Sequence, residues 1–294
     1  MQQDRLMQPT KTIPTIGYAY GHASRHIGAG DGPKYVREHA DTPLQLVWQD
    51  MIQPFKPEKQ GDSAIEDVKA VCTQLAKRVH STLEKYNKFL VIGGDHSCAI
   101  GTWHGVKQWL QGELGLIWID AHMDSHTPDT SPSHNIHGMP LASLLGFGDE
   151  RLTHLYHKNA VLDPKNTTVI GVSDYEPEEA ALLKQLDIQT HFLKDLPNHD
   201  PFDTISEQIT RLETQTSGFG ISLDLDVFDP GLAPGVTTYA PGGIDVDRTL
   251  AALAKAAKSP KFMGLEIVEF TPANDLDNQT LKLIQQIISV TFDL

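Results

Sequence analysis

The residues of this chain that are best suited to chemistry begin directly after an apolar run, Leu114–Ile119. Asp120, His122 and Asp124 follow that run and are separated by single spacer residues. Alternate residues of an extended segment point to the same side, so these three side chains are expected to project into one site. Carboxylates and imidazoles gathered in this way are ligands for divalent metals.

Two further segments offer ligands of the same kind. Asp224 and Asp226 end a second apolar run, and His96 closely follows a third, Phe89–Ile92. Each segment alone is also what a solvated loop or a capped turn would show. Together they bring four carboxylates and two imidazoles to three strand ends, and ionised carboxylates avoid one another unless cations compensate them.

The combined donor set indicates the metal and the reaction. It contains no thiolate and is rich in oxygen, which suits manganese better than structural zinc, although iron, cobalt or nickel would also fit. Two divalent cations would neutralise the four aspartates. Such a pair is typical of metal-activated hydrolysis.

The elements that must position these segments follow from the alternation of short apolar runs and helical patterns. Strands that are apolar throughout, with helices between them, predict a parallel sheet covered on both faces. Loops at the carboxyl ends of such strands bind ligands. The chain shows no internal repeat, linker or composition break, so we expect an α/β fold in a single domain, residues 1–294. Strands are predicted near 12–17, 44–50, 89–94, 114–121, 167–173, 189–194, 219–226 and 262–270, and helices near 62–86, 97–110, 138–147, 177–186, 201–215, 245–257 and 277–290.

Bulk properties exclude several classes of function. The 294 residues carry a net charge of −14, which argues against nucleic acid or an anionic membrane as a partner. Acidity suits a small cationic substrate, although solubility alone would also explain it. The segment Met1–Thr10 is polar and lacks the apolar core of a secretory signal, and the two cysteines, Cys72 and Cys98, imply no disulfide framework. These features predict a soluble cytoplasmic enzyme.

Four motifs together resemble the ureohydrolase family, which includes arginases, agmatinases and their relatives. The matching segments are Gly93–Ser97, Asp120–Asp124, Ser222–Pro230 and Leu265–Glu269, in family order and at family-like spacing. The resemblance implies a three-layer α/β/α sandwich with an eight-stranded parallel sheet, two Mn²⁺ ions per chain and a homo-oligomer, trimeric or hexameric. One metal would be held by His96, Asp120, Asp124 and Asp224, and the other by Asp120, His122, Asp224 and Asp226.

The segment Thr130–Pro140 is similar to the substrate loop of bacterial arginases. This similarity implies cleavage of the guanidino group of L-arginine to urea and L-ornithine. It also implies a role for each of several residues: His137 as proton shuttle, Glu269 opposite the guanidinium, and Asp124 with them in catalysis. Ser133 and Asn135, assisted by Ser131, would contact the substrate α-carboxylate, Thr238 would line the guanidinium pocket, and His126 and Glu176 would lie at the amino-acid end.

Departures from the family pattern leave the exact substrate open. His126 stands where arginases usually have asparagine, His134 where glycine is usual, and Glu176 where aspartate is usual. All three surround the amino-acid end of the substrate rather than the metals. Alternative interpretations are an agmatinase, another guanidino-acid or formimino hydrolase, a non-catalytic regulatory relative, and a deacetylase of the same broad fold with one catalytic zinc.

Overall fold

The structure, a computed structural model, describes residues 12–41, 45–156 and 158–292. These residues form eight β-strands and nine α-helices in alternating order. The strands are β1 (Thr12–Tyr18), β2 (Gln45–Ile52), β3 (Phe89–Ile92), β4 (Leu114–Ile119), β5 (Thr167–Val172), β6 (Gln189–Phe192), β7 (Gly218–Asp224) and β8 (Phe262–Val268). The helices are α1 (Gly32–His39), α2 (Ile65–Leu83), α3 (Cys98–Trp109), α4 (Pro140–Leu144), α5 (Glu150–Thr153), α6 (Pro177–Gln185), α7 (Phe202–Gln215), α8 (Val246–Lys258) and α9 (Gln279–Phe292).

The strands form one parallel sheet in the order β2-β1-β3-β8-β7-β4-β5-β6. From β4 the chain crosses over to β5, toward the β6 edge of the sheet, whereas from β7 it crosses over to β8, toward the β2 edge. The connections therefore leave the adjacent strands β4 and β7 in opposite directions. In an open α/β sheet this arrangement opens a crevice at the carboxyl ends of the two strands, where ligands bind.

The central strands β3, β4, β5, β7 and β8 are buried on both faces, which explains why they are largely apolar, whereas the edge strands β2 and β6 are partly exposed and carry polar residues. In β4, Leu116 and Trp118 pack into one core, and Ile117 and Ile119 pack into the other. The first core is covered by α2, α3, α4, α5 and α6, and the second by α1, α7, α8 and α9. The predicted three-layer α/β/α sandwich with eight parallel strands is thus the observed fold.

The sequence-based element boundaries differ from the observed ones at several places. The helices α1 and α5 are absent from the sequence-based prediction; α1 has only eight residues and begins with Gly32-Pro33, and α5 has only four. The predicted strand 44–50 begins at a residue outside the described part of the chain, and Met1–Thr10 also lies outside it. Within the described residues, no helix is both long and apolar enough to cross a membrane.

Candidate active site and metal centre

The three sequence segments converge at the β4–β7 crevice, but not through strand alternation as expected. β4 ends at Ile119, and Asp124 has a positive φ of 47°, so the segment from Asp120 to Asp124 is not extended. The Asp120 carboxylate instead accepts a hydrogen bond from the His122 backbone N–H (2.7 Å), which turns the chain. Such turns are a common use of aspartate. The expectation of an extended backbone was wrong, although the side chains do meet.

One half of the cluster is centred on His96. Its Nδ1 lies 2.9 Å from Asp124 Oδ2, 3.1 Å from Asp224 Oδ2 and 3.2 Å from Asp120 Oδ2. All four side chains are buried. One nitrogen thus faces three carboxylate oxygens, which is the donor arrangement predicted for the first metal.

The other half is centred on His122. Its Nδ1 lies 3.1 Å from Asp226 Oδ2 and 3.6 Å from Asp120 Oδ1. Asp120 therefore turns one oxygen to each imidazole, as a carboxylate shared by two cations would. Asp226 lies in a short 3₁₀ turn after β7, where its backbone N–H donates to Asp224 Oδ1 (3.0 Å).

The chemistry of these donors fits a pair of divalent cations. Two buried atoms of the cluster, His96 Nδ1 and Asp226 Oδ1, have no hydrogen-bond partner of acceptable geometry among the described residues. Burial, together with the negative charges of Asp226 and Asp120, raises the pKa of Asp224 well above its usual range. Burial likewise raises the pKa of Asp226 to about 6. Carboxylates that are this costly to ionise call for positive charge among their oxygens.

Three residues to which the sequence assigned no individual role, Ser222, Glu266 and Trp118, hold the donors in place. The Ser222 hydroxyl donates its hydrogen to Glu266 Oε1 (2.7 Å), so its oxygen can only accept from His96. The His96 Nε2–H therefore donates to Ser222 Oγ (2.9 Å). His96 Nδ1 then keeps its lone pair toward the carboxylates, the arrangement that metal-bound histidines adopt. Trp118 donates from Nε1 to Asp120 Oδ2 (2.9 Å) and stacks on the His96 ring. Glu266 could have been noticed in the sequence, because it is the only charged residue within the apolar strand β8.

His137 and Glu269 form a second pair beside the cluster. The His137 Nδ1–H donates to Glu269 Oε1 (3.0 Å), and the same oxygen accepts the His96 backbone N–H (2.8 Å). Burial alone would lower the pKa of His137, but Glu269 outweighs it and raises that pKa to about 9. Burial would raise the pKa of Glu269, and the hydrogen bond from His137 lowers it instead. The pair is therefore a protonated imidazole against a carboxylate at neutral pH.

A cavity of about 240 Å³ connects this pair to the substrate loop. Ser131 is buried behind the cavity, where its hydroxyl accepts the His134 backbone N–H (3.0 Å) and lies 3.4 Å from Ser133 Oγ. His134 points outward, with its side chain 55% exposed. The lining residues include His122, Asp124, His126, Ser133, Asn135, His137, Asp174, Glu176, Glu179, Asp224, Asp226, Thr238 and Glu269.

The same cavity is also lined by His126 and two glutamates. His126 Nε2 lies 3.2 Å from Glu176 Oε2 and 3.6 Å from Glu179 Oε2. Burial, reinforced by Glu176, raises the pKa of Glu179 to about 8. Glu179 was not among the site residues predicted from the sequence. A signal was present, because Glu-Pro-Glu-Glu at the start of α6 is a helix-capping pattern that turns the Glu179 side chain back toward Glu176.

Comparison with known proteins agrees with this geometry. Residues 11–292 match the family model described as the Arginase family. The chain belongs to the arginase family. Among arginase relatives, that of Bacillus caldovelox is 36% identical over 80% of this chain and 79% of its own length. That of Bacillus subtilis (strain 168) is 33% identical over 95% and 96%.

Solved structures of arginases share the fold of this arginase-family chain. The Entamoeba histolytica arginase in complex with L-ornithine is 25% identical and superimposes with a TM-score of 0.87, covering 98% of this chain and 100% of that one. The family and the eight-stranded architecture expected from the sequence are thereby confirmed. This member of the arginase family is accordingly a hydrolase in class.

Proposed function

We propose that the chain hydrolyses the guanidino group of L-arginine to urea and L-ornithine. The observation that carries this proposal is one cavity whose lining combines two kinds of group. It includes donors proposed for two cations and the His137–Glu269 pair, and also the Ser133 hydroxyl and the Asn135 amide of the substrate loop. The name of the relatives, arginase, and the L-ornithine bound to one of them support the same substrate.

The donors proposed for the two metals are His96, Asp120, Asp124 and Asp224 for one, and Asp120, His122, Asp224 and Asp226 for the other. Manganese is the proposed metal because the donor set is rich in oxygen and free of thiolate. When bound, the two cations supply Lewis-acid activation of the attacking water. Asp124 belongs to this group through its contact with His96.

Glu269 and His137 are proposed to act on the guanidino group itself. A planar cation that stays charged needs an ionised carboxylate opposite it, and the lowered pKa of Glu269 keeps that residue ionised. His137 carries a proton at neutral pH. The proposed role of His137 is to donate this proton to the departing nitrogen of L-ornithine as the carbon–nitrogen bond breaks, so that the product leaves as an amine.

Ser133 and Asn135 are proposed to bind the substrate α-carboxylate, and Thr238 to border the guanidinium pocket. His126 and Glu176 would then meet the α-amino end, where a carboxylate favours an ammonium group. The buried Ser131 is proposed to support Ser133 rather than to touch substrate. These polar groups favour arginine over agmatine, which lacks the carboxylate.

The setting of the enzyme is also a proposal. Cys72 and Cys98 are buried free thiols, which suits a reducing compartment such as the cytoplasm. A homo-oligomer, trimeric or hexameric, is proposed from the family resemblance, and light scattering at several protein concentrations measures it.

Metal content and product release together test the proposed function. Manganese-loaded protein should contain two metals per chain and release urea and L-ornithine in equal amounts from L-arginine. His122→Ala should hold fewer than two metals and lose orders of magnitude in rate, whereas the exposed His154→Ala should match the parent. Full metal content and normal turnover in His122→Ala would overturn the ligand assignment.

A further inference from the structure

The group of His126, Glu176 and Glu179, which lines the same cavity, has the composition of a metal site in its own right. One nitrogen and two carboxylate oxygens, from His126, Glu176 and Glu179, lie within 4.8 Å of one another. The His126 and Glu179 side chains are only 7% and 4% exposed, whereas that of Glu176 is 52% exposed. The group is therefore anchored in the protein and open to solvent on one side.

The separations within this group match those of ligands around one ion. Two ligands about 2.0–2.1 Å from a tetrahedral zinc ion lie about 3.3 Å apart. His126 Nε2 is 3.2 Å from Glu176 Oε2 and 3.6 Å from Glu179 Oε2. The same spacing occurs at the binuclear centre, where His122 Nδ1 is 3.1 Å and 3.6 Å from its two carboxylates.

The two glutamates are fixed before any ion arrives. Glu176 precedes α6, and Glu179 lies in the first turn of that helix. The Glu176 backbone N–H donates to Glu179 Oε2 (3.2 Å), and the Ser125 backbone N–H donates to Glu179 Oε1 (3.2 Å). A ligand that is already oriented binds an ion without further loss of side-chain entropy.

The imidazole is oriented by the opposite ring nitrogen. Thr130 Oγ1 lies 3.1 Å from His126 Nδ1 and accepts the Thr127 backbone N–H (2.9 Å). The Thr130 hydroxyl hydrogen can point to the Thr127 carbonyl oxygen (3.4 Å), so Oγ1 is available to accept Nδ1–H. Nε2 is hydrogen-bonded to Glu176 Oε2 (3.2 Å). With Nδ1–H donated to Thr130, a cation among the three groups takes the place of the proton on Nε2.

We propose that His126, Glu176 and Glu179 form a third divalent-cation site, distinct from the binuclear centre. One imidazole and two carboxylates with an open fourth position suit zinc. The further consequence rests on the proposed function: because these residues border the amino-acid end of the cavity, a cation bound there excludes the substrate, so zinc acts as a competitive inhibitor.

Zinc uptake by the manganese-loaded protein tests the site. Zinc chloride is added at a free concentration held by a metal buffer, excess is removed, and both metals are counted by mass spectrometry. The proposal expects one zinc per chain in addition to two manganese ions. Zinc that only replaces manganese, or that does not bind, overturns it.

Variants separate this site from general surface binding. His126→Asn should weaken zinc binding by more than the ~10–100-fold that loss of an outer-shell partner costs. Glu176→Gln, at a more exposed position, should have the same effect and serves as a second variant in case His126→Asn folds poorly. His134→Asn is the matched control, because His134 lies in the same loop, is largely exposed and has one carboxylate at 3.7 Å. Equal zinc affinity in His126→Asn, Glu176→Gln and the parent protein contradicts the assignment.

The kinetic readout separates the two proposals. If arginine is hydrolysed, buffered zinc should raise the apparent KM for arginine and leave kcat unchanged. A fall in kcat with unchanged KM contradicts the competitive role. If arginine is not hydrolysed but one zinc per chain still binds beside the two manganese ions, the proposed function is wrong and the proposed third cation site is supported.

Discussion

At the scale of single residues, Asp124 and Glu269 share a feature that no sequence pattern shows. Both have positive φ, 47° and 65°, a region that residues other than glycine rarely adopt. Strain of this kind costs on the order of 1–3 kcal/mol and collects at functional sites. The Glu269 backbone is held there by a hydrogen bond to the Gly94 carbonyl (2.8 Å). Sequence spacing identified both carboxylates, but not the turns that aim them.

His137→Ala tests the proton-transfer role. The variant should retain both metals, because His137 is not among the proposed ligands, and kcat should fall by ~10²–10⁴-fold, as expected for a lost acid–base group. Steady-state rates and metal content measured on the same preparation check this. A fully active His137→Ala would remove the residue from the mechanism.

Glu269→Gln tests the cause of the high His137 pKa. His137 must be protonated to donate, so kcat should fall as pH rises through about 9 in the parent protein. Removing the Glu269 charge takes away the largest influence that raises the pKa and leaves burial opposed by Asp124 and Asp95 alone, so the alkaline limb of the residual activity should move to lower pH. If the alkaline fall of kcat occurs at the same pH in Glu269→Gln and in the parent protein, a group other than His137 is responsible for that fall.

At the scale of elements, the central strands were predictable because they are largely apolar runs, whereas the edge strands β2 and β6 contain several polar residues. The failures have local causes. The helix predicted near 97–110 begins at Cys98, and the hydroxyl of the preceding Ser97 donates to Asp95 instead of capping the helix. The predicted strand 114–121 ends at Ile119 because Asp120 hydrogen-bonds to the backbone of His122. Side-chain bonds that redirect the backbone depend on partners that hydrophobic periodicity does not reveal.

Gly105→Ala tests the close packing of α2 against α3. A Cβ at Gly105 would lie 2.5 Å from the Ala76 carbonyl oxygen, which is backbone and cannot move aside. Helix propensity alone would favour alanine by ~1 kcal/mol, but overpacking should dominate and lower the unfolding free energy by ~1–3 kcal/mol. Gly138→Ala is the control, since nothing lies within 4 Å of its Cβ. Denaturant melts of both variants give the comparison, and equal stabilities would contradict it.

At the scale of the whole molecule, the site is assembled from loops that follow five neighbouring strands, β3, β8, β7, β4 and β5. The sequence predicted eight parallel strands but not their order, because β3 and β8 are neighbours in the sheet and distant in the chain. For the same reason, the contact of His126 with Glu176 and Glu179, some fifty residues away, could not be read from spacing. Long-range pairing depends on the packing of complete layers rather than on local pattern.

Residues 1–294 are proposed to form one domain, which makes a prediction about unfolding. The single sheet is shared by both cores, so far-UV circular dichroism and the fluorescence of the buried Trp103 and Trp118 should give coincident transitions. Manganese at a free concentration ~100 times its Kd should add ~2.7 kcal/mol per site. Two separated transitions would contradict the single domain, and unchanged stability with manganese would contradict the metal centre.

Competition between L-arginine and agmatine in one assay is the sharpest test of the proposed hydrolysis of L-arginine. Both compounds present the same guanidinium, but agmatine would leave the donors of Ser133 and Asn135 unpaired, at ~1–3 kcal/mol for each buried group. Polar recognition of this kind can discriminate by up to ~10⁴-fold. The manganese-loaded protein, given both compounds in one assay, should consume arginine with by far the higher kcat/KM. Equal or faster consumption of agmatine would contradict the arginine assignment.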